Sequence, residues 1–453
     1  MASSMSYGAH SKAVLTLGVP LIGGYLCQFA IQITDTVMLG WYGVEALAAV
    51  VLAGSFYFIL FLVASGFAWA VVPLVAAASE ADDAVRIRRV TRMGLWLAGI
   101  SAFCALPLLL FSASILRGLG QEPALAALAQ DYLRIAGWGL VPALGVMVLK
   151  SYLSALEHTR IVLWVTLVAA IVNAVLNYIL IFGHFGAPEM GVRGAALASL
   201  CLHIVSFILI LLYCIRVFPQ HDLFRRLWRP DWGALREVFQ LGWPIGLTSL
   251  AEAGLFSATA IMMGWLGAVP LAAHGIALQL AALTFMVHLG LSNAATVRVG
   301  RAYSRADMDH LRRGGQVAIA MSVAFALVTV VLFLGWPRLW MGLFIGPDEV
   351  ARADILALGA SLLVVAALFQ LFDGLQVMAL GLLRGVQDTR MPMVLAAISY
   401  WVCGFPASYL LGFTLGLGGP GVWLGLSVGL ALAAGTLLWR FWAGPANVAP
   451  STG

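Results

Sequence analysis

Met38-Leu-Gly-Trp-Tyr-Gly-Val-Glu-Ala-Leu-Ala-Ala49 returns later in the chain as Met262-Met-Gly-Trp-Leu-Gly-Ala-Val-Pro-Leu-Ala-Ala273, at an offset of 224 residues (262 − 38) with no gap. The same offset carries Gly18 and Pro20 onto Gly242 and Pro244, Gly66 onto Gly290, Asp83 onto Asp307, and Arg88-Arg89 onto Arg312-Arg313. Chance does not hold one register over that distance, so the chain is one unit written twice. In an apolar chain, two copies in tandem point to a transporter whose halves rock about a central site.

The bilayer is dictated by composition. Of the 453 residues, 62% are apolar and 10% charged, where a soluble globule carries roughly 25% charge. A spanning helix needs roughly 20 mostly apolar residues. Such runs fall at 13–40, 48–78, 92–116, 128–152, 160–183 and 193–217, then at 238–266, 271–300, 316–345, 354–382, 392–414 and 420–441. The expected fold is all-α integral membrane, with twelve transmembrane helices in two parallel-repeat six-helix lobes. Residues 1–220 form the N-terminal lobe (helices 1–6), 221–237 a cytoplasmic inter-lobe connector, and 238–453 the C-terminal lobe (helices 7–12). The first run is too long for a signal-peptide core and lacks a small-residue cleavage site, so it is expected to stay as a helix. The five cysteines, Cys27, Cys104, Cys201, Cys214 and Cys403, lie in apolar runs and are odd in number, which argues against a disulfide framework.

Orientation follows from the cations. With the amino terminus inside, 20 of the 25 Lys and Arg fall on inner connectors, and only Arg117, Arg134, Arg193, Arg338 and Arg352 remain outside. The positive-inside rule therefore places both termini in the cytoplasm of a multi-pass cell-membrane protein, as in a bacterial inner membrane. The net charge of +5 and pI near 9.1 reflect that topology and an anionic inner leaflet, not nucleic-acid binding. The arginines beside Asp83 and Asp307 could lock the inner face through ion pairs. Exposed pairs are worth under about 1 kcal/mol, so a solvated topology signal is the expected role. Pro20 and Pro244, at matching points of the first and seventh spans, could mark bends.

Three acids, Asp35, Glu252 and Asp373, lie well inside predicted spans, while the other 17 of 20 sit in connectors or at helix ends. A charge at the bilayer centre costs about 2.5 to 3.5 kcal/mol on insertion scales, so intramembrane acids face a cavity or a partner and are functional candidates. No basic residue is expected at their depth. Each is a place to hold a proton or a metal cation in exchange for something else. Helical spacing extends them into polar stripes, Gln28, Gln32 and Asp35 on one helix and Gln370, Asp373 and Gln376 on another, which predicts wetted walls. Phe256 follows Glu252 by one turn and Phe369 precedes Asp373 by one turn; ring faces can hold cations, although an aromatic in a membrane helix more often packs. Asn173 and Asn177, one turn apart in the fifth span, could ligate a cation or bond an acid such as Asp35, or join helices by hydrogen bonds. His203 and His288 are expected to be hydrogen-bonded packing residues.

At this point the chain resembles the multidrug and toxic compound extrusion (MATE) family, and within it the NorM-type branch, nearly end to end. The resemblance is carried by Thr34-Asp-Thr-Val-Met-Leu-Gly40, Asn173-Ala-Val-Leu-Asn-Tyr178, Pro188-Glu-Met-Gly-Val-Arg-Gly194, Pro244-Ile-Gly-Leu-Thr-Ser-Leu-Ala-Glu252 with Phe256 beyond it, and Leu371-Phe-Asp373 leading to Leu383-Arg-Gly385. It implies two six-helix lobes in an outward-opening V that export bulky, often cationic amphipathic compounds against inflow of Na+ or H+. It also implies that Glu252 and Asp373 with Phe256 form the cation or drug site of the second lobe, with Na+ a candidate at the two acids, and that Asp35, Asn173 and Asn177 form the site of the first. Phe369 stands where some relatives have tyrosine, so a hydroxyl ligand for sodium is missing. Beyond the coupling ion no cofactor is expected, and a monomer suffices.

Rival readings are weaker. A lipid-linked precursor flippase of the same wider superfamily would need basic residues at membrane depth to hold a pyrophosphate, and none is expected here. A membrane enzyme would need clustered carboxylates for metal-bound phosphate chemistry, which Asp82-Asp83 only weakly imitates. A channel would need rings of charge or a repeated filter.

Overall fold

The computed structural model describes residues 5–346 and 349–447. Among them, twelve helices are long and apolar enough to cross a bilayer: α1 Tyr7–Tyr42, α2 Val44–Glu80, α3 Ala84–Leu110, α4 Pro123–Ala155, α5 Thr159–Phe182, α6 Gly191–Val217, α7 Trp232–Leu266, α8 Ala268–Ser304, α9 Met308–Gly335, α10 Arg352–Gly385, α11 Arg390–Thr414 and α12 Gly418–Ala443. All twelve expected spans are present. Two end earlier than expected. The run at 92–116 breaks at Phe111, before a short helix Ser112–Gly118, and the run at 316–345 breaks at Trp336. Pro337 explains the second break, because proline pushes the residue before it out of the helical region, and Trp336 sits at φ −137°, ψ 51°.

The repeat governs local structure residue by residue. Both copies of the opening stretch form one-residue turns, Gly43 between α1 and α2 and Gly267 between α7 and α8. Gly267 has φ 123°, a conformation open to glycine and closed to most side chains. Asp83 and Asp307 are N-caps: the first accepts from the Arg86 backbone N–H at 2.8 Å to start α3, the second from the His310 N–H at 3.0 Å to start α9. Such caps stabilise a helix by about 1 kcal/mol.

The arginines that follow engage protein groups, while Arg86 and Arg89 stay about half exposed, as their expected solvated role allows. Arg86 pairs with Glu237 at 2.7 Å, and Arg89 pairs with Asp231. Arg88 reaches Asp222 at 3.9 Å, and its repeat equivalent Arg312 donates to the Ala446 carbonyl at 2.7 Å. Both separations are the repeat offset (312 − 88 = 224 and 446 − 222 = 224). Each arginine therefore catches the segment that follows the last helix of its own repeat.

Two compact units are present, one spanning Gly23–Gly246 and the other joining the residues up to Ile22 with those from Leu247 onward. The expected division at 220 and 238 follows the repeats; the compact units instead change over inside α1 and α7, at equivalent points (246 − 22 = 224). Close glycine crossings are the physical reason. In the Gly23–Gly246 unit, a Cβ on Gly66 of α2 would overlap the backbone of Gly242 and Gly246 at the start of α7. In the other unit, a Cβ on Gly290 of α8 would overlap Ile22 of α1. Without a hydrophobic drive between helices in lipid, small residues that let backbones approach supply the packing. The first part of each repeat's leading helix thus packs against the second helix of the other repeat.

Candidate cation and substrate sites

In the Gly23–Gly246 unit, α1 and α5 bring Asp35, Asn173 and Asn177 together. Asn177 Nδ2 donates to Asp35 Oδ1 at 2.5 Å and to Asn173 Oδ1 at 3.2 Å. Both asparagines are fully buried, and two of their polar atoms, Asn177 Oδ1 and Asn173 Nδ2, have no hydrogen-bond partner. Asp35 itself is half-buried. A carboxylate beside an unsatisfied amide oxygen is an all-oxygen surface of the kind that binds a hard cation. Tyr132 of α4 stands close enough to feel the Asp35 charge, and it in turn faces Tyr57 of α2, whose buried hydroxyl makes no hydrogen bond. Neither tyrosine carried a sequence signal, since each sits in an apolar run at no telling spacing from an acid.

In the other unit, α7 and α10 bring Glu252 and Asp373 within electrostatic reach of one another. Asp373 is 3% exposed and its Oδ1 has no hydrogen-bond partner; Glu252 is half-buried. Tyr400 of α11 faces both acids and accepts a hydrogen bond from Gln376 Nε2 at 2.5 Å. Gln370 Nε2 donates to the Ala281 carbonyl at 3.0 Å. Gln370 Oε1 and Gln376 Oε1 are buried without partners, so with Asp373 Oδ1 the α10 face carries three unpartnered acceptor oxygens over nearly two turns of helix. The aromatic residues pack edge to face in a row. Phe256 and Phe369 have ring centroids 6.0 Å apart, and Phe369 meets Trp423 of α12 at 5.3 Å. Trp423 donates through Nε1 to His274 Nδ1 at 3.1 Å. Phe369 is buried by this row, while Phe256 keeps accessible surface beside Glu252.

Three sequence expectations change. Gln370, Asp373 and Gln376 do not form a wetted wall, because Gln370 and Gln376 are fully buried; Gln28 and Gln32 of the other stripe are exposed. The acids are not without a basic neighbour either, since Arg384 near the end of α10 acts electrostatically on Glu252. Finally, Lys150, counted above among the cations of the inner connectors, lies in helix α4, as the run at 128–152 also has it. Helix α4 continues five residues past it to Ala155, and its Nζ donates to Thr166 Oγ1 of α5 at 3.0 Å. A lysine stem long enough to reach along neighbouring helices separates the amine from the position of its Cα. The packing role expected for His288 is seen directly: its Nδ1 meets Ser322 Oγ at 2.8 Å, and Ser322 donates to the Gly374 carbonyl at 3.2 Å.

The repeat does not extend to these side chains. Glu252 corresponds to Gln28 (252 − 224) and Asp35 to Thr259 (35 + 224). The scaffold is duplicated and the chemistry is not, so the two sites are distinct.

Known proteins resemble the chain over nearly its full length. The chain is 46% identical to a probable multidrug resistance protein NorM of Rhizobium meliloti, over 97% of this chain and 94% of that protein. A NorM relative of the same description from Agrobacterium fabrum is 47% identical, over 97% and 95%. The crystal structure of the eukaryotic MATE transporter AtDTX14 superposes with a TM-score of 0.86 at 19% identity, covering 97% of this chain and 98% of that one. The family profile MatE matches twice, at residues 20–179 and 244–410, and its two starting points are again 224 residues apart (244 − 20). By sequence along both repeats and by fold, the chain belongs to the MATE family, on its NorM-type branch.

Proposed function

We propose that this protein is a secondary active antiporter that exports cationic and amphipathic toxic compounds across the membrane in exchange for inward Na+ or H+. The observation that carries the exchange is Asp373, a carboxylate buried inside a membrane helix bundle with one oxygen unpartnered and a second acid, Glu252, within electrostatic reach. Two acids so placed repel when both are charged, and a cation or proton between them relieves that repulsion. A cationic substrate offers the same relief. The two ligands therefore compete for one set of charges, and exchange follows if each binds the inward and outward states unequally. A tenfold cation gradient supplies about 1.4 kcal/mol for each monovalent ion coupled.

Asp35 with Asn173 and Asn177 gives a second cation site of different composition. The multidrug resistance named for the NorM relatives supports the substrate class. The distribution of cations supports an inner-membrane protein with both termini in the cytoplasm, and a monomer suffices for the exchange. The work done is transport, with no bond made or broken.

Efflux of a fluorescent cationic dye from liposomes carrying the purified protein tests this reading, with a sodium gradient and a pH gradient imposed separately. One gradient is expected to drive efflux, and Asp373→Asn is expected to abolish it. Failure of both gradients, together with passage of a fluorescent lipid across the bilayer, would transfer the protein to the flippase class.

A further inference from the structure

Lys150 is a cationic group of the Gly23–Gly246 unit that the exchange mechanism leaves unused. Its amine donates to the Thr166 hydroxyl of α5 at 3.0 Å, with the Cys27 thiol of α1 and the His203 ring of α6 within electrostatic reach. Among the described residues it makes no ion pair. Thr166 already donates its own hydroxyl proton to the Val162 carbonyl at 2.8 Å, which leaves its oxygen as acceptor for the amine. One of three ammonium donors is thereby engaged. Lys150, Cys27 and His203 are each partly buried and keep some accessible surface. An ionisable group at membrane depth is costly and marks a ligand pathway unless a partner neutralises it.

Its placement relative to Asp35 decides what it would meet. Thr166, Asn173 and Asn177 are separated by seven and four residues, share one face of α5, and are all buried. At 1.5 Å per residue, the Thr166 end of this seam, where the amine sits, is roughly 10 Å from Asn173 and roughly 16 Å from Asn177. One helix face therefore presents a positive pole at one end and the Asp35 carboxylate at the other.

Resting on the transport reading above, we propose that Lys150 is a specificity-determining residue that binds the carboxylate of amphipathic substrates carrying both charges, while Asp35 receives their cationic group. A substrate with a cation alone uses the Asp35 pole only. A compound with a carboxylate alone has no partner at Asp35 and is excluded.

Rhodamine 110 and its methyl ester rhodamine 123 share one fluorophore and differ in whether the carboxylate is free, so they test the assignment in proteoliposomes. Lys150→Met is expected to raise the half-saturating concentration for rhodamine 110 at least tenfold and to leave rhodamine 123 within twofold, with Lys150→Arg restoring rhodamine 110. If Lys150→Met does not fold, Lys150→Gln, which can still bond Thr166, carries the same expectation. Equal losses for both dyes, or no change for either, would overturn the assignment. So would unchanged dye efflux with slowed passage of fluorescent phosphatidylglycerol, which would give the amine to a lipid phosphate. Failure of the wild-type protein to move rhodamine 123 would instead count against the transport reading itself.

Discussion

Asn177 donates to Asp35 at 2.5 Å across 142 residues of sequence, and this one hydrogen bond joins α1 to α5 at the level of the candidate cation site. A bond to a charged acceptor in a low-dielectric surrounding is stronger than its aqueous counterpart, and leaving such a carboxylate unpaired costs about 1–3 kcal/mol. Asn177 thus orients the acid while its own Oδ1 stays free to face a cation.

Removing that amide should misplace the acid without deleting it. Asn177→Ala is expected to raise the half-saturating concentration of the coupling cation by about tenfold, the equivalent of about 1.4 kcal/mol. Asp35→Asn should remove the Asp35 dependence altogether. Dye efflux at graded cation concentrations separates the two, and an Asn177→Ala protein indistinguishable from wild type would show that Asp35 needs no orienting partner.

The crossing of α1 and α8 can be locked chemically. A Cβ on Gly18 would lie 3.7 Å from the Ala294 Cβ, inside the range of about 3.5–4.5 Å that a disulfide requires. Gly18→Cys with Ala294→Cys, in a background lacking the five native cysteines, should crosslink on mild oxidation. Because this crossing joins the two repeats, transport should stop and return on reduction. Crosslinked protein that still transports would show that α1 and α8 stay together throughout the cycle.

Glycine is required at the α2–α7 crossing and dispensable elsewhere on the same helix. A Cβ on Gly66 would overlap the Gly242 and Gly246 backbone, whereas one on Gly54 would meet nothing within 4 Å. Gly66→Ala should therefore lower the melting temperature in detergent markedly or prevent folding, while Gly54→Ala should be neutral or slightly stabilising, since alanine is favoured over glycine in a helix by about 1 kcal/mol. Equal effects would remove the packing argument.

Asp231, in the segment before α7, is held below the usual carboxylate range chiefly by its hydrogen bond to Arg89, with the Ala234 N–H adding to the effect. A depressed carboxylate contributes stability above its unfolded value, about 3.9, and loses that contribution as pH falls through its lower folded value. Arg89 is about half exposed, so solvent screening limits the contribution to about 1 kcal/mol or less. Asp231→Asn should lower the melting temperature slightly at pH 7, and the difference from wild type should shrink below about pH 3.9. A difference that grows on acidification would point to a different role for Asp231.

Much of the architecture was legible before any coordinates because lipid leaves so few choices. Backbone groups in hydrocarbon must bond internally, so an apolar run of sufficient length becomes a helix almost regardless of detail. Asp83 and Asp307 stood out as a repeated pair at one offset, and the structure gave them their role as N-caps. Acids such as Asp35, Glu252 and Asp373 stood out because their cost in lipid demands a reason. Tyr132, Tyr400, Trp423 and Arg384 carried no such signal, since an aromatic in an apolar run or a cation near a helix end is the ordinary case.

Sequence alone determined the twofold repeat, the twelve helices, the three intramembrane acids and the family, because periodicity, hydropathy and the cost of buried charge are properties of the chain itself. Tertiary structure decided the rest. It showed that the compact units change over inside α1 and α7, that Gln370 and Gln376 are buried where Gln28 and Gln32 are exposed, and that the Lys150 amine bonds Thr166 of the neighbouring helix. Each of these depends on which helix faces which and on how far a side chain reaches, and helix-to-helix contact in a membrane is set by close packing of small residues that hydropathy does not encode.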